Sequence, residues 1–174
     1  DSVIVGKDGK VLLDTWYVEK YAGKDLNFMV YPTTTNYWNQ EMLKKIRFLL
    51  DDVGFDGVYI DQFSQVGHPP DSSTYNQWDG ATVDIDAATG KVMRQYSNIA
   101  YLSAAARRQW VDEVLKRGKI VVVNGDPSVT EMQSLPIMHF METANYEVFQ
   151  SGPPEAPNLY RGQLSTPIGL GYQW

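Results

Sequence analysis

Residues Ile120, Val121, Val122 and Val123 form an unbroken β-branched run. A strand that is apolar on both faces has to be covered on both, as parallel strands are inside an α/β layer. Ahead of it, from about Ile99 to Arg117, the residues Ile99, Leu102, Ala106, Trp110 and Val114 recur on one stripe, and Gly118 follows as a stop. That spacing predicts a helix leading into the strand. The same alternation repeats along the chain. Phe28-Met29-Val30-Tyr31 ends at Pro32, and Asn39 then offers an N-cap to a helix that carries Met42, Ile46, Leu49, Leu50 and Val53 on one face before Gly54. Gly57-Val58-Tyr59-Ile60-Asp61 is another short strand. Downstream, Ser128-Val129-Thr130-Glu131 reads as a capping box, Pro136 precedes a strand from Ile137 to Met141, and Ile168-Gly169-Leu170 is one more short apolar run.

Strands and helices that alternate in this way are joined by parallel crossovers, either in a doubly wound sheet or in a (β/α) barrel. No G-x-G-x-x-G opens a helix and no G-x-x-x-x-G-K-S/T occurs, so the phosphate-binding signatures of the first class are missing. The expected fold is therefore α/β, a partial (β/α)8 TIM-type barrel of about five β/α units. A closed barrel of eight typically needs about 250 residues, whereas this chain has 174. The expectation is a fragment of a larger chain, with residues 1–26 forming an N-terminal hairpin and linker and residues 27–174 the partial barrel. Val3-Ile4-Val5 and Val11-Leu12-Leu13 flank Gly6-Lys7-Asp8-Gly9-Lys10 as that hairpin. The connection 62–98, rich in Gly, Pro, Ser, Asn and Asp, is a long loop after the second visible barrel strand. It carries its own hairpin, Thr82–Asp86 with Lys91–Met93, and loops of this length are usually functional.

Charge and composition remove several function classes. Fifteen Lys and Arg against twenty-one Asp and Glu leave a net charge of −6, which repels nucleic acid and acidic membranes as partners. The absence of cysteine excludes a disulfide scaffold, a thiolate metal site and a Cys nucleophile. No apolar run approaches the ~18 residues of a membrane span. Two separated histidines without HExxH argue against a transition-metal site, and no motif calls for a cofactor. The Asp84-Ile85-Asp86 to Gly90 stretch departs from a calcium loop at its third ligand position, Ala88, and at Gln95, where a bidentate Glu belongs. A chain beginning Asp1-Ser2 reads as processed or truncated, and the expected location is secreted or cell-surface. Aromatic residues make up 13% of the chain, enough to serve a core and also to stack on flat ligands such as sugar rings.

The working residues of a parallel barrel sit where its strands end, and those positions here are Tyr31, Asp61, Asn124 and Glu142. Strand alternation places Tyr59 with Asp61 on one face and Phe140 with Glu142 on one face. Both acids then point to the barrel axis.

The string GFDGVYIDQF (Gly54 to Phe63), behind an amphipathic helix and ahead of an elaborated loop, resembles the fourth-strand region of TIM-barrel glycoside hydrolases. In the α-galactosidase-like and α-glucosidase-like clans that strand ends in a catalytic Asp. NFMVYP (Asn27 to Pro32) resembles strand three, KIVVVNGDP (Lys119 to Pro127) strand five, IMHFMET (Ile137 to Thr143) strand six and TPIGLGY (Thr166 to Tyr172) strand seven. The resemblance implies a polysaccharide-degrading glycosidase with Asp61 in the catalytic role. Those clans commonly place an Asp acid/base on strand six, where this chain has Glu142.

Glycoside hydrolysis needs two carboxyl groups, ~5 Å apart for retention or ~6.5–9.5 Å for inversion. Acids ending two strands with one strand between them have backbones about two spacings of ~4.8 Å apart, so Asp61 and Glu142 are eligible for either outcome. The expected division makes Asp61, followed by Gln62 and Ser64 as hydrogen-bond donors, the ionised nucleophile or base. Glu142, beside Phe140 and Met141, is the protonated acid. Asn124 and Asp126 are candidates for a substrate hydroxyl, with Asp126 the reserve acid, and His68 for a ligand contact above Asp61. Tyr31, Trp38, Tyr75 and Trp78, together with Tyr37, are candidate stacking rings, while His139 is expected in the core. The competing reading is a non-catalytic glycan-binding or structural surface or filament protein on the same barrel. A lyase or aldolase is disfavoured, because no Lys ends any of the four strands. The partners implied are a carbohydrate and the remainder of the same barrel.

Overall fold

A computed structural model describes residues 1–14, 28–63, 72–124 and 129–140. In chain order these form α1 (Tyr37–Arg47), a π-helical turn (Phe48–Asp52), β1 (Gly57–Ile60), β2 (Ser73–Thr74), β3 (Val83–Ile85), β4 (Val92–Gln95), β5 (Ser97–Asn98), α2 (Ile99–Leu115), β6 (Ile120–Asn124), α3 (Thr130–Gln133) and β7 (Met138–Phe140). They separate into two compact units, Asp1–Glu41 with Gln65–Ala106, and Met42–Ser64 with Arg107–Trp174.

The first unit is built on antiparallel pairings. The expected N-terminal hairpin forms, with Val5 bridging Val11, Gly6 N–H bonded to the Lys10 carbonyl at 2.8 Å and Gly9 N–H to the Gly6 carbonyl at 3.0 Å. The segment that resembles barrel strand three departs from the expectation. Val30 bridges Val3 and Phe28 bridges Leu13, both antiparallel, so among the described residues this segment pairs with the N-terminal hairpin and with no parallel strand. The physical reason is that Ile4 N–H bonds the Met29 carbonyl and Met29 N–H the Leu12 carbonyl. The hairpin thus supplies the backbone partners a neighbouring barrel strand would have supplied. Ile4, Tyr31 and Ile99 form the core of this unit, with Leu12, Met29 and Leu102 against it. The hairpin inside the 62–98 connection is β3 with β4, paired antiparallel with a bulge between Asp84 and Ile85, and β2 pairs with β5.

Helix α1 begins earlier than its apolar face suggests. Asn36, three residues before Asn39, is the cap: its Oδ1 accepts the Asn39 N–H at 3.1 Å and the Thr33 N–H at 3.0 Å, while its Nδ2 donates to the Tyr31 carbonyl at 2.8 Å. Asn39 itself is buried in the first turn. The stop at Gly54 is as expected, with φ 84. Helix α2 is entered through Asn98, whose Oδ1 accepts the Ala100 N–H at 2.9 Å, and it closes before Gly118 at φ 66.

The second unit holds a parallel sheet in the order β1-β6-β7. Strand β1 pairs with β6 from Gly57↔Ile120 to Ile60↔Val123, and β6 pairs with β7 from Val122↔Met138 to Asn124↔Phe140. These are the segments likened to strands four, five and six, adjacent and in that order. Val121 and Val123 of the β-branched run are buried, and so are Trp110, Val111 and Val114 of α2. At Gly57 an added Cβ would lie 2.3 Å from the Ile120 carbonyl oxygen, so only glycine allows β1 to approach β6 this closely. Helix α3 has Val129 as its N-cap with no side-chain cap bond, one residue later than the expected Ser128, because Val129 is the last residue with extended backbone before the helix. The expected boundary at residues 26 and 27, the run Ile168–Leu170, and Ser128, His68, Asp126 and Glu142 lie outside the described residues.

Candidate functional site

Beyond the ladder of β1 and β6 the two chains continue side by side to Asp61 and Asn124, so the register itself brings these side chains together. Asn124 Nδ2 donates to Asp61 Oδ1 at 2.8 Å. The Tyr59 hydroxyl, two residues back and therefore on the same strand face, donates to the same oxygen at 3.1 Å. The carboxylate is exposed, and two donors fix the direction in which it is presented. Directly after it, Gln62 adopts φ 48, a left-handed conformation uncommon outside glycine. This turns the chain so that the Phe63 N–H reaches the Asn124 carbonyl at 2.8 Å and the Phe63 ring is buried.

Behind Phe63 lies a charge that sequence reasoning missed. Arg107 of α2 is only 3% exposed, its guanidinium stands 5.9 Å from the centre of the Phe63 ring, and its Nε has no hydrogen-bond partner. Burial pulls its pKa down to about 10, which leaves it charged near neutrality. Ser103 and Val111, four residues away on either side along α2, are also buried, and none of the three belongs to the stripe of Ile99, Leu102, Ala106, Trp110 and Val114. A neighbouring cluster in the same unit holds Glu113, which accepts Arg47 Nε at 2.9 Å, Arg117 Nη1 at 2.7 Å and Lys116 Nζ at 2.6 Å. Arg117 also reaches Asp51 at 2.6 Å.

The five candidate aromatic residues all belong to the first unit, where they have unequal surfaces to offer, Tyr37 being 65% exposed. Tyr31 is 1% exposed, with its hydroxyl directed to Asn76 and Gln77 at 3.4 and 3.3 Å and its acidity weakened by burial. A ring so covered is core and has no face for a sugar. Tyr75 stacks on Tyr96 at 4.9 Å between centroids and 13° between planes, with the Arg94 guanidinium 5.5 Å from its centre. Its faces are used within the chain. Trp38 is half-buried. Trp78 is 45% exposed and anchored by its indole N–H on the Thr82 carbonyl at 3.1 Å. That loop is ordered by Asp79, which accepts the Ala81, Thr82 and Asn98 amides and the Thr82 hydroxyl. Burial works upward on the Asp79 carboxyl, and these bonds outweigh it and hold it below the ordinary range.

Thus the structure brings Asp61 and Asn124 together and adds Tyr59 to them. Among the described residues no group of three His, Cys, Asp or Glu side chains is placed to hold a metal ion, and no helix is long and apolar enough to cross a membrane. Comparison of the chain with known protein families, with curated proteins and with solved structures finds no match.

Proposed function

We propose that this chain carries a glycoside hydrolase site on a partial (β/α) barrel, acting on an oligo- or polysaccharide outside the cell. The observation that supports the reading best is the 2.8 Å bond between Asn124 and Asp61 at the carboxyl ends of two neighbouring parallel strands. Carboxyl ends of parallel strands are where barrels place their chemistry, and here an exposed carboxylate is held in one direction by two side-chain donors.

Asp61 is the nucleophile that attacks the anomeric carbon or, in an inverting enzyme, the base that takes a proton from the attacking water. Glu142, two residues past the end of β7, gives its proton to the departing glycosidic oxygen. Asn124 and Tyr59 are positioning residues in this scheme: they hold Asp61 in place. In the first unit, taken by itself, Trp78 and Tyr37 keep exposed rings that support stacking on a sugar.

The test compares rates on an aryl glycoside and a natural oligosaccharide. Asp61→Asn abolishes turnover of both, whereas Glu142→Gln spares the aryl glycoside, whose leaving group needs no proton. Full activity of the Asp61 variant on both substrates would remove the assignment. Glycan binding by the unchanged chain with no turnover of any glycoside would make it a binding module.

A further inference from the structure

A cleft of about 310 Å³ opens in the first unit between the Gly6–Lys10 turn and the residues Tyr75, Asn76, Arg94 and Gln95. We propose that it binds the carboxylate of an acidic sugar, a hexuronate unit, through residues of the first unit alone. The carboxylate follows from the cleft's own residues, while the sugar rests on the glycosidase reading above.

The walls are held in place by the backbone. Val5 N–H donates to Thr74 Oγ1 at 3.0 Å and Tyr75 N–H to the Val5 carbonyl at 2.9 Å, which ties the hairpin to the segment carrying Tyr75. Gly6 leaves little slack, since a Cβ there would meet Leu12 Cδ2 at 3.1 Å and Asp8 Oδ1 at 3.2 Å. A cleft of this size formed before its ligand arrives loses little entropy on binding.

The charges around the cleft are uneven. Asp8, the acid of the turn, is engaged by the Lys10 backbone amide at 3.0 Å and by Lys10 Nζ at 3.4 Å. Lys7, well exposed, reaches the partly exposed Asp84 at 3.8 Å, a long contact worth little in water. Arg94 lies over the Tyr75 ring and has no carboxylate partner among the described residues. Lys7 and Arg94 thus flank one acid, Asp84, which lies 3.8 Å from Lys7 and opposite Arg94 in the β3–β4 register without an ion pair to it, in a chain whose net charge is −6. Stacking on Tyr75 orients a planar, weakly hydrated guanidinium whose paired N–H groups match the two oxygens of a carboxylate. Gln95 beside it, also lining the cleft, offers an amide to a ring hydroxyl.

The experiment is a calorimetric titration of the full chain, at low salt, with a galacturonic acid trisaccharide, its methyl ester, a galactose trisaccharide and succinate. The acidic trisaccharide is expected to bind, and esterification or Arg94→Gln to weaken it about tenfold or more. Lys7→Gln costs a few-fold, and Arg108→Gln, the same charge change on the exposed Arg108–Asp112 pair, leaves binding unchanged. Equal binding of the ester, or an Arg94 variant that matches the Arg108 variant, overturns the carboxylate site. Succinate binding as tightly as the trisaccharide overturns the sugar and keeps the anion. Because the binding is read without turnover, its failure is distinct from an inactive Asp61 site, which the neutral aryl glycoside reports.

Discussion

Asn124 holds Asp61 from both sides of a strained residue: its side-chain amide donates to the Asp61 carboxylate at 2.8 Å, and its carbonyl accepts the Phe63 N–H at 2.8 Å. Between those bonds Gln62 keeps φ 48, a conformation that persists only where its surroundings over-determine it, at about 1–3 kcal/mol. One residue at the end of β6 thereby sets the geometry of the turn that ends β1. On the proposed glycosidase reading, Asn124→Ala is expected to lower glycoside turnover on the order of tenfold or more through misplacement of Asp61. Asn124→Asp sets a second carboxylate against the first and moves the pH–rate profile upward. Unchanged kinetics in both variants would show that the bond is only structural.

Glu113 predicts an acid-sensitive stability. Hydrogen bonds from Arg47, with Lys116 and Arg117 adding to them against the opposing effect of burial, bring its carboxyl from 4.5 down to about 2. A folded-state value below the unfolded one contributes stability that is complete above about pH 4.5 and is lost as pH falls toward 2. Discounted for the solvent that reaches Arg47 and Lys116, Glu113→Gln costs about 2 kcal/mol at pH 7. Urea midpoints between pH 7 and pH 2 check this, since the variant flattens the profile in that window.

Arg107 predicts the opposite sign. Its buried guanidinium has the Phe63 ring on one side and an Nε without a partner. Among the described residues no carboxylate pairs with this guanidinium, and replacing a desolvated charge by an apolar side chain of similar volume is neutral or stabilising, by about 1–3 kcal/mol. Arg107→Met therefore unfolds at an equal or higher urea concentration. A large fall would mean that the contact with Phe63 outweighs the desolvation of the charge.

Two glycines separate crowding from backbone conformation. Gly57→Ala drives a methyl group to 2.3 Å from the Ile120 carbonyl oxygen, and is expected to cost at least about 2 kcal/mol or to abolish cooperative unfolding. Gly80→Ala meets nothing within 4 Å but must adopt φ 90, so its cost stays nearer 1 kcal/mol, the backbone penalty alone. Thermal melts of the two variants give the ranking directly.

Trp78, 45% exposed, is expected to matter more to a glycan than to the fold. Trp78→Ala loses one indole hydrogen bond to the Thr82 carbonyl, about 1 kcal/mol, while glycan affinity falls about tenfold if the ring stacks on a sugar. A parallel measurement of melting temperature and glycan binding distinguishes the two. Equal losses would make the ring ordinary packing.

The sequence by itself determined the local pieces: the Gly6–Lys10 turn, the hairpin of β3 and β4, the extent of α2, the helix stop at Gly54, and β1, β6 and β7 as strand segments. Each is decided by a period of apolar residues or by the φ that a glycine alone adopts readily, both short-range properties of the chain. The shared face of Tyr59 and Asp61 was legible for the same reason, as a two-residue period. Tertiary structure decided what pairs across distance. It placed Phe28–Tyr31 antiparallel to the N-terminal hairpin, made Asn36 the cap of α1, stacked Tyr75 on Tyr96, buried Arg107 against Phe63 and set Asn124 on Asp61. Hydrogen-bonding groups and rings find such partners only after the backbone has closed the intervening loops. Loop closure depends on the packing of the whole chain, which no local pattern encodes.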